Sequence, residues 1–165
     1  MIGIGKRTLA LGSAAALLAA GGAVAAAESV QAASTTPTCR AGDLYPAVGS
    51  PQEAAGSFLY PVVFTNTATR SCALRGYPGV SVLTAGHAMI GAPAARNGVP
   101  VSTVVLTPAG TATATIRTND PGVVPSCRTT STYLGVYPPA STQQKLVPFH
   151  LRVCGVFEVS PVQST

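Results

Sequence analysis

Apolar side chains in this chain recur at every second position, and no stretch after residue 32 sustains a helical period. That spacing sends alternate residues to opposite faces of a pleated strand. The clearest run is Ser57–Asn66, in which Phe58, Tyr60, Val62 and Phe64 fall on one face. Thr111–Arg117 alternates as cleanly, with Ala112, Ala114 and Ile116 on one side and Thr111, Thr113 and Thr115 on the other. Shorter runs cover Asp43–Val48, Cys72–Leu74, Val80–Thr84, Val101–Leu106, Thr130–Tyr137 and the stretch from Leu146 to Val159. With 17 glycines and 14 prolines among 165 residues, turns separate these runs throughout. The expectation is an all-β fold, an antiparallel sandwich of about seven to eight short strands, with a barrel as the alternative.

Several prolines and glycines refine this outline. Pro46 confines Asp43–Val48 to a sheet edge, because proline cannot donate to a ladder. Pro61 falls in the middle of the strongest run and marks a bulge or an open edge. Gly76-Tyr77-Pro78-Gly79 reads as a structural turn. Pro78 suits the second position of a type II turn and Gly79 the third, where φ must be positive. Ser50–Gly56 and residues 86–100 read as loops.

The first 32 residues stand apart from this pattern. Lys6 and Arg7 precede an uncharged Leu/Ala/Gly/Val-rich run, and small residues follow it. That is a secretory signal peptide, with cleavage after Ala27 or Ala32. Residues 33–38 then form a flexible tether and 39–165 the exported domain, with no stable membrane anchor after cleavage. All four cysteines, Cys39, Cys72, Cys127 and Cys154, lie beyond the signal, and an even count in an exported chain reads as two disulfides. No pair has zinc-ligand spacing, so no metal site is expected. Of the three pairings that four cysteines allow, the hairpin rule favours one. Partners in an antiparallel hairpin have residue numbers that add to a constant. Cys39 with Cys72 then centres a connection inside Ser50–Gly56, and Cys127 with Cys154 centres one inside Pro138–Thr142. Both centres are turn-rich. Bridges closing loops of this length stabilise by about 3–4 kcal/mol each on the chain-entropy model.

The net charge of +5 comes from basic residues scattered singly. A nucleic-acid footprint would cluster them and interleave aromatics, so no nucleic-acid partner is expected.

Taken together, Cys39, Ala54-Ala55-Gly56-Ser57, Thr65-Asn66-Thr67, Cys72-Ala73-Leu74 and Gly76-Tyr77-Pro78-Gly79-Val80 carry a family resemblance. It continues through Gly91–Arg96, Leu106–Gly110, Cys127, Val136–Pro139 and Cys154. The chain resembles a family of small exported actinobacterial proteins known as a domain of unknown function. The resemblance implies an Ig-like β-sandwich and export, and it brings no catalytic residues. Ala109-Gly110 departs from the Pro-Gly-Gly or Pro-Gly-Asn turn more usual there, which leaves that turn's type open.

Constellations that carry chemistry are thin. A nucleophile–base–acid triad has only His87 and His150 to choose a base from, and no Gly-x-Ser-x-Gly elbow occurs. A glycosidase pair would have to come from Asp43, Glu53, Asp120 and Glu158, all in or near loops, turns or a terminus. The Thr111/Thr113/Thr115 ladder reads as a sugar-binding face or as an ordinary solvent side. Tyr77 reads as an exposed tip or as an anchor packing the turn onto the core, and Arg96 as a contact residue or a local brace. These observations lead to a secreted, non-enzymatic and monomeric binding module with no cofactor. Its partner would be an unknown protein or a cell-envelope glycan. The alternative is a secreted protease inhibitor presenting the Gly86–Pro100 loop with Arg96.

Overall fold

The computed structural model describes residues 35–165, so the expected signal peptide and the start of the tether lie outside the described residues. After a 3-10 turn at Ala41–Asp43 come twelve strands: β1 (Leu44–Val48), β2 (Gln52–Ala54), β3 (Ser57–Asn66), β4 (Cys72–Arg75), β5 (Gly79–Leu83), β6 (Ala95–Arg96), β7 (Thr103–Leu106), β8 (Thr111–Asn119), β9 (Tyr133–Tyr137), β10 (Lys145–Pro148), β11 (Phe157–Val159) and β12 (Gln163–Ser164). The class is all-β, as expected. The count exceeds the expected seven to eight because β2, β6, β11 and β12 are only two or three residues long.

Seven strands form one sheet in the order β1-β3-β8-β11-β6, with β2 also on β3 and β12 also on β8. Its centre is the β3–β8 pair, running from Ser57↔Asn119 to Thr65↔Thr111. These are the two segments with the cleanest alternation in the sequence. Their inward residues Val62, Phe64, Ala112, Ala114 and Ile116 are buried. They share one core with Leu74, Val104 and Leu106 of the β4–β7 sheet and with Val80, Val82, Leu134 and Val136 of the β10-β9-β5 sheet. Burying a side chain such as Phe64 contributes about 1.5–3 kcal/mol, and a strand pair presenting five such positions fixes the register of the whole layer.

The structure resolves Pro61. Strands β1 and β2 are successive pieces lying along the same side of β3, paired as Val48↔Val62 and Gln52↔Leu59. Between them the ladder breaks, and only the Gly49 N–H reaches the Pro61 carbonyl, at 2.9 Å. The imide that cannot donate therefore faces a bulge, not an open edge. Part of the expected Ser50–Gly56 loop is strand β2. A two-residue turn joins it to β3, with Ala55 at φ 41° and Gly56 at φ 74°. Positive φ at both central residues is the hairpin geometry that matches strand twist.

Cys72–Leu74 and Val80–Thr84 flank the Gly76–Gly79 turn as expected and belong to different sheets, since β4 joins β7 and β5 joins β9. Three other expectations are corrected. The turn carries the chain from one small sheet to the other. It is not a type II turn, because the positive φ falls on Gly76 (112°) and not on Gly79. Gly79 opens β5 opposite Tyr137, where an added Cβ would stand 3.3 Å from the Tyr137 Cβ, so close packing is what asks for glycine there. The expected strand from Leu146 to Val159 is broken. After Pro148 the chain is irregular until Phe157, crossing Cys127↔Cys154 as an isolated bridge. The β11–β6 pair is parallel, an exception to the antiparallel expectation.

Both disulfides pair as the hairpin rule favoured, Cys39–Cys72 and Cys127–Cys154. The second lies in the register of the β9–β10 hairpin, which runs from Lys145↔Val136 to Pro148↔Tyr133. The first is different. Its N-terminal side runs parallel to β4, with Ala73 N–H donating to the Pro37 carbonyl (2.8 Å) and Cys39 N–H to the Ala73 carbonyl (3.0 Å). Pro37 and Thr38, expected in the flexible tether, are thus fixed to the domain.

At one rim of the core, Tyr60 meets Phe149 edge-on with ring centroids 5.7 Å apart, and burial pushes the Tyr60 phenol above its usual value. The neutral phenol is the form the fold favours. Its contribution is therefore complete below the unfolded value of about 10 and is lost as pH rises through the raised folded value. The stability difference between the parent and Tyr60→Phe, measured by urea unfolding between about pH 9 and 11, is expected to shift against the parent as pH rises. A pH-independent difference would refute this.

Candidate functional site

The two residues singled out as candidate contacts, Tyr77 and Arg96, meet in space. The Arg96 guanidinium lies 5.4 Å from the Tyr77 ring centroid, and the Tyr77 hydroxyl donates to the Val99 carbonyl. Tyr77 packs its ring against the core and sends its hydroxyl to the surface, so it serves as anchor and rim at once. The cation–π contact is worth about 0.5–1 kcal/mol at such exposure.

The Gly86–Pro100 segment is a strap, not a free loop. Ile90 and Ala94 N–H groups donate to the Val82 and Val80 carbonyls of β5, and Asn97 N–H donates to the Val159 carbonyl of β11. The segment thereby spans from one sheet to the other. Arg128 clasps its middle, with Nη1 donating to the carbonyls of Ile90 (3.2 Å) and Ala92 (2.6 Å) while Cζ lies 5.3 Å from the Phe157 ring centroid. Gly91 lies between those carbonyls at φ 76°, and a Cβ there would stand 3.0 Å from Arg128 Cζ. Sequence reading missed Arg128. Its only signal is its place beside Cys127, which the pairing of Cys127 with Cys154 brings to the strap.

Beside Tyr77 and Arg96, on the outer face of the large sheet, lies a groove of about 450 Å³. Asn97 and Val99 wall one side, and Thr115, Arg117, Glu158 and Gln163 form the polar floor. Arg117 and Glu158 are direct cross-strand partners, 3.7 Å apart at the closest charged atoms. Arg117 Nε also donates to Ser57 Oγ (3.2 Å), and Asn97 Oδ1 accepts from Val99 N–H (3.2 Å). Arg117, Glu158 and Asn97 are held by neighbours, yet the groove is open to solvent. Arg117 and Glu158 were not recognised as a pair from the sequence, because nothing local reveals that β11 returns beside β8.

The remaining candidates are dispersed. Asp43 pairs with Arg70 at 2.8 Å, Asp120 accepts from the Gly122 N–H, and Glu53 is exposed on β2. The His87 ring meets Tyr133 edge-on at 5.2 Å, while His150 Nδ1 lies 2.9 Å from the Ser131 carbonyl oxygen. Among the described residues no group of three or more His, Cys, Asp or Glu is placed to hold a metal ion. In the threonine ladder, Thr111 and Thr113 contact the Thr165 hydroxyl at 3.2 and 3.1 Å, and only Thr115 lines the groove.

Cys127 is half-buried, whereas Cys39, Cys72 and Cys154 are buried. Attack by a thiolate requires access to a sulfur. Titration of the folded domain with dithiothreitol is expected to open Cys127–Cys154 first and, through Arg128, to loosen the strap. Alkylation and peptide mapping along the titration check the order. Earlier labelling of Cys39 or Cys72 would refute it.

Among the described residues no helix is long and apolar enough to cross a membrane. A family model for a domain of unknown function, DUF4232, matches residues 39–163. No curated protein and no solved structure matches the chain.

Proposed function

The chain belongs to the DUF4232 family, and from that premise we propose that it is an exported, non-enzymatic module that binds a cell-envelope glycan in the groove beside Tyr77 and Arg96. One observation carries the reading. The groove combines an ion pair, two amides and a threonine hydroxyl with the apolar edges of Leu59 and Val99, between the sheet face and the strap. Sugars present hydroxyls in a plane with apolar C–H patches, which such a surface matches. The Arg96–Tyr77 stack and the strap keep the rim in place without a ligand, so little ordering entropy is lost on binding.

Export is supported by the basic-then-apolar N-terminal sequence and by four cysteines joined in two bridges. An actinobacterial origin belongs to the same reading, as does the signature Asn66…Cys72-x-Leu74-x-Gly76-Tyr77-Pro78-Gly79-Val80. Supporting the non-enzymatic part, the candidate bases and acids are engaged separately, Asp43 with Arg70 and Glu158 with Arg117.

Incubation of the oxidised domain with insoluble cell-wall glycan should deplete it from solution. The double substitution Glu158→Gln and Gln163→Ala should weaken retention about tenfold, the loss of one or two good hydrogen bonds, with the melting temperature unchanged. Undiminished retention, or none by the parent, would overturn the proposal. Stoichiometric inhibition of a trypsin-like protease would favour the inhibitor reading instead, although Arg96 would first have to leave Tyr77 and β11.

A further inference from the structure

We propose that a second site, independent of the glycan groove, takes an extended acidic peptide along the seam between β1 and β10. These two strands are edges of different sheets, and between them runs a groove of about 510 Å³ lined only by Leu44–Val48 and Lys145–Pro148. Two exposed large apolar side chains border it, Tyr45 at 64% and Leu146 at 42%.

The backbone chooses the ligand class. In an antiparallel ladder, alternate residues turn both N–H and C=O toward the same side. Phe149 N–H donates to the Thr132 carbonyl across the β9–β10 hairpin, so residues 145 and 147 also turn toward β9. Leu146 therefore turns both backbone groups to the seam, and Pro148 turns its carbonyl there. On β1, Gly49 N–H goes to Pro61 of β3, which leaves the carbonyls of Leu44, Pro46 and Val48 facing outward. A hydrocarbon chain laid in the groove would strip water from these groups and replace none of the lost hydrogen bonds. A peptide main chain replaces them by pairing with Leu146, as in strand addition.

Lys145 supplies the charge preference. It is the only lysine after residue 6, it shares the inward face with Val147, and it is half-buried in the groove wall. Among the described residues the ion pairs are Arg70–Asp43 and Arg117–Glu158, and Lys145 is in neither. A carboxylate on the docked strand is its natural partner. Pro46 and Pro148 each remove one donor, which limits pairing to a short register and discourages edge-to-edge association of the protein with itself.

Capped heptapeptides alternating valine with threonine and carrying glutamate, glutamine or lysine at the centre are the probes, with oleate as the lipid comparator. The readout is protection of Lys145 from an amine-acylating reagent, followed by mass spectrometry of the oxidised domain. The glutamate peptide should protect Lys145 and bind about tenfold tighter than the lysine peptide. Lys145→Glu should reverse that order, read by fluorescence polarisation. An N-methyl group at the position facing Leu146 should abolish binding. Protection by oleate and not by peptide, no binding of any peptide at about 1 mM, or indifference to Lys145→Glu would overturn the proposal. Glu158→Gln with Gln163→Ala should leave peptide binding unchanged, which separates this site from the glycan groove.

Discussion

Asn66→Ala is expected to lower stability by about 3 kcal/mol, although the residue lies at a strand end and lines neither proposed ligand site. Its side chain is fully buried. The amide nitrogen donates to the carbonyls of Arg70 (2.9 Å), Leu106 (3.2 Å) and Thr107 (3.1 Å), and its oxygen accepts from Ala68 N–H (3.0 Å). The main chain adds Asn66 N–H to the Gly110 carbonyl and Ala109 N–H to the Asn66 carbonyl, both at 2.9 Å. One residue thus joins the end of β3, the turn before Cys72 and the turn between β7 and β8. Alanine would leave several buried polar groups without partners, each costing about 1–3 kcal/mol. Asn66→Asp should be worse at neutral pH, because a buried carboxylate would face three carbonyls, and it should recover on acidification as it regains a proton to donate. Urea unfolding of both variants from pH 4 to 7 tests the account. A loss below about 0.5 kcal/mol for alanine, the ordinary range for surface changes, would refute it.

Removing the Cys39–Cys72 bridge as the double substitution Cys39→Ala and Cys72→Ala should cost about 3–4 kcal/mol, or about 10 °C in melting temperature. The bridge closes a separation of 33 residues and both sulfurs belong to the core. The two hydrogen bonds between residues 37–39 and Ala73 remain, so the variant should still fold. Calorimetry of the oxidised parent and the variant measures the difference, and equal melting temperatures would refute it.

Much of the central sheet was legible because its signals are local. The alternation in Ser57–Asn66 and Thr111–Arg117 named the β3–β8 core, and the register rule named both disulfides, although the first closes a parallel contact and not the hairpin the rule assumes. What escaped depended on distant partners. Strands β6, β11 and β12 are too short to show a period, and they exist because β8 and its neighbours offer a ladder to pair with. The Gly76–Gly79 turn was recognised, but its geometry was set by the need to change sheets and by Tyr137 packing on Gly79. Tyr77 and Arg96 were named singly, and only the strap's route from β5 to β11 shows that they stack. The unusual Ala109-Gly110 turn is answered too. Ala109 takes φ 62°, a left-handed conformation that glycine or asparagine adopts at less cost.

The parallel clip at Pro37–Cys39 has a mechanical consequence. Tension arriving through the chain before Pro37 passes straight across a covalent link into β4. The segment enclosed by that link, which holds β1, β2 and β3, is short-circuited and cannot be drawn out while the sulfurs stay joined. A module held by its leading end could thus be dragged by whatever it grips without β1, β2 or β3 being pulled out lengthwise.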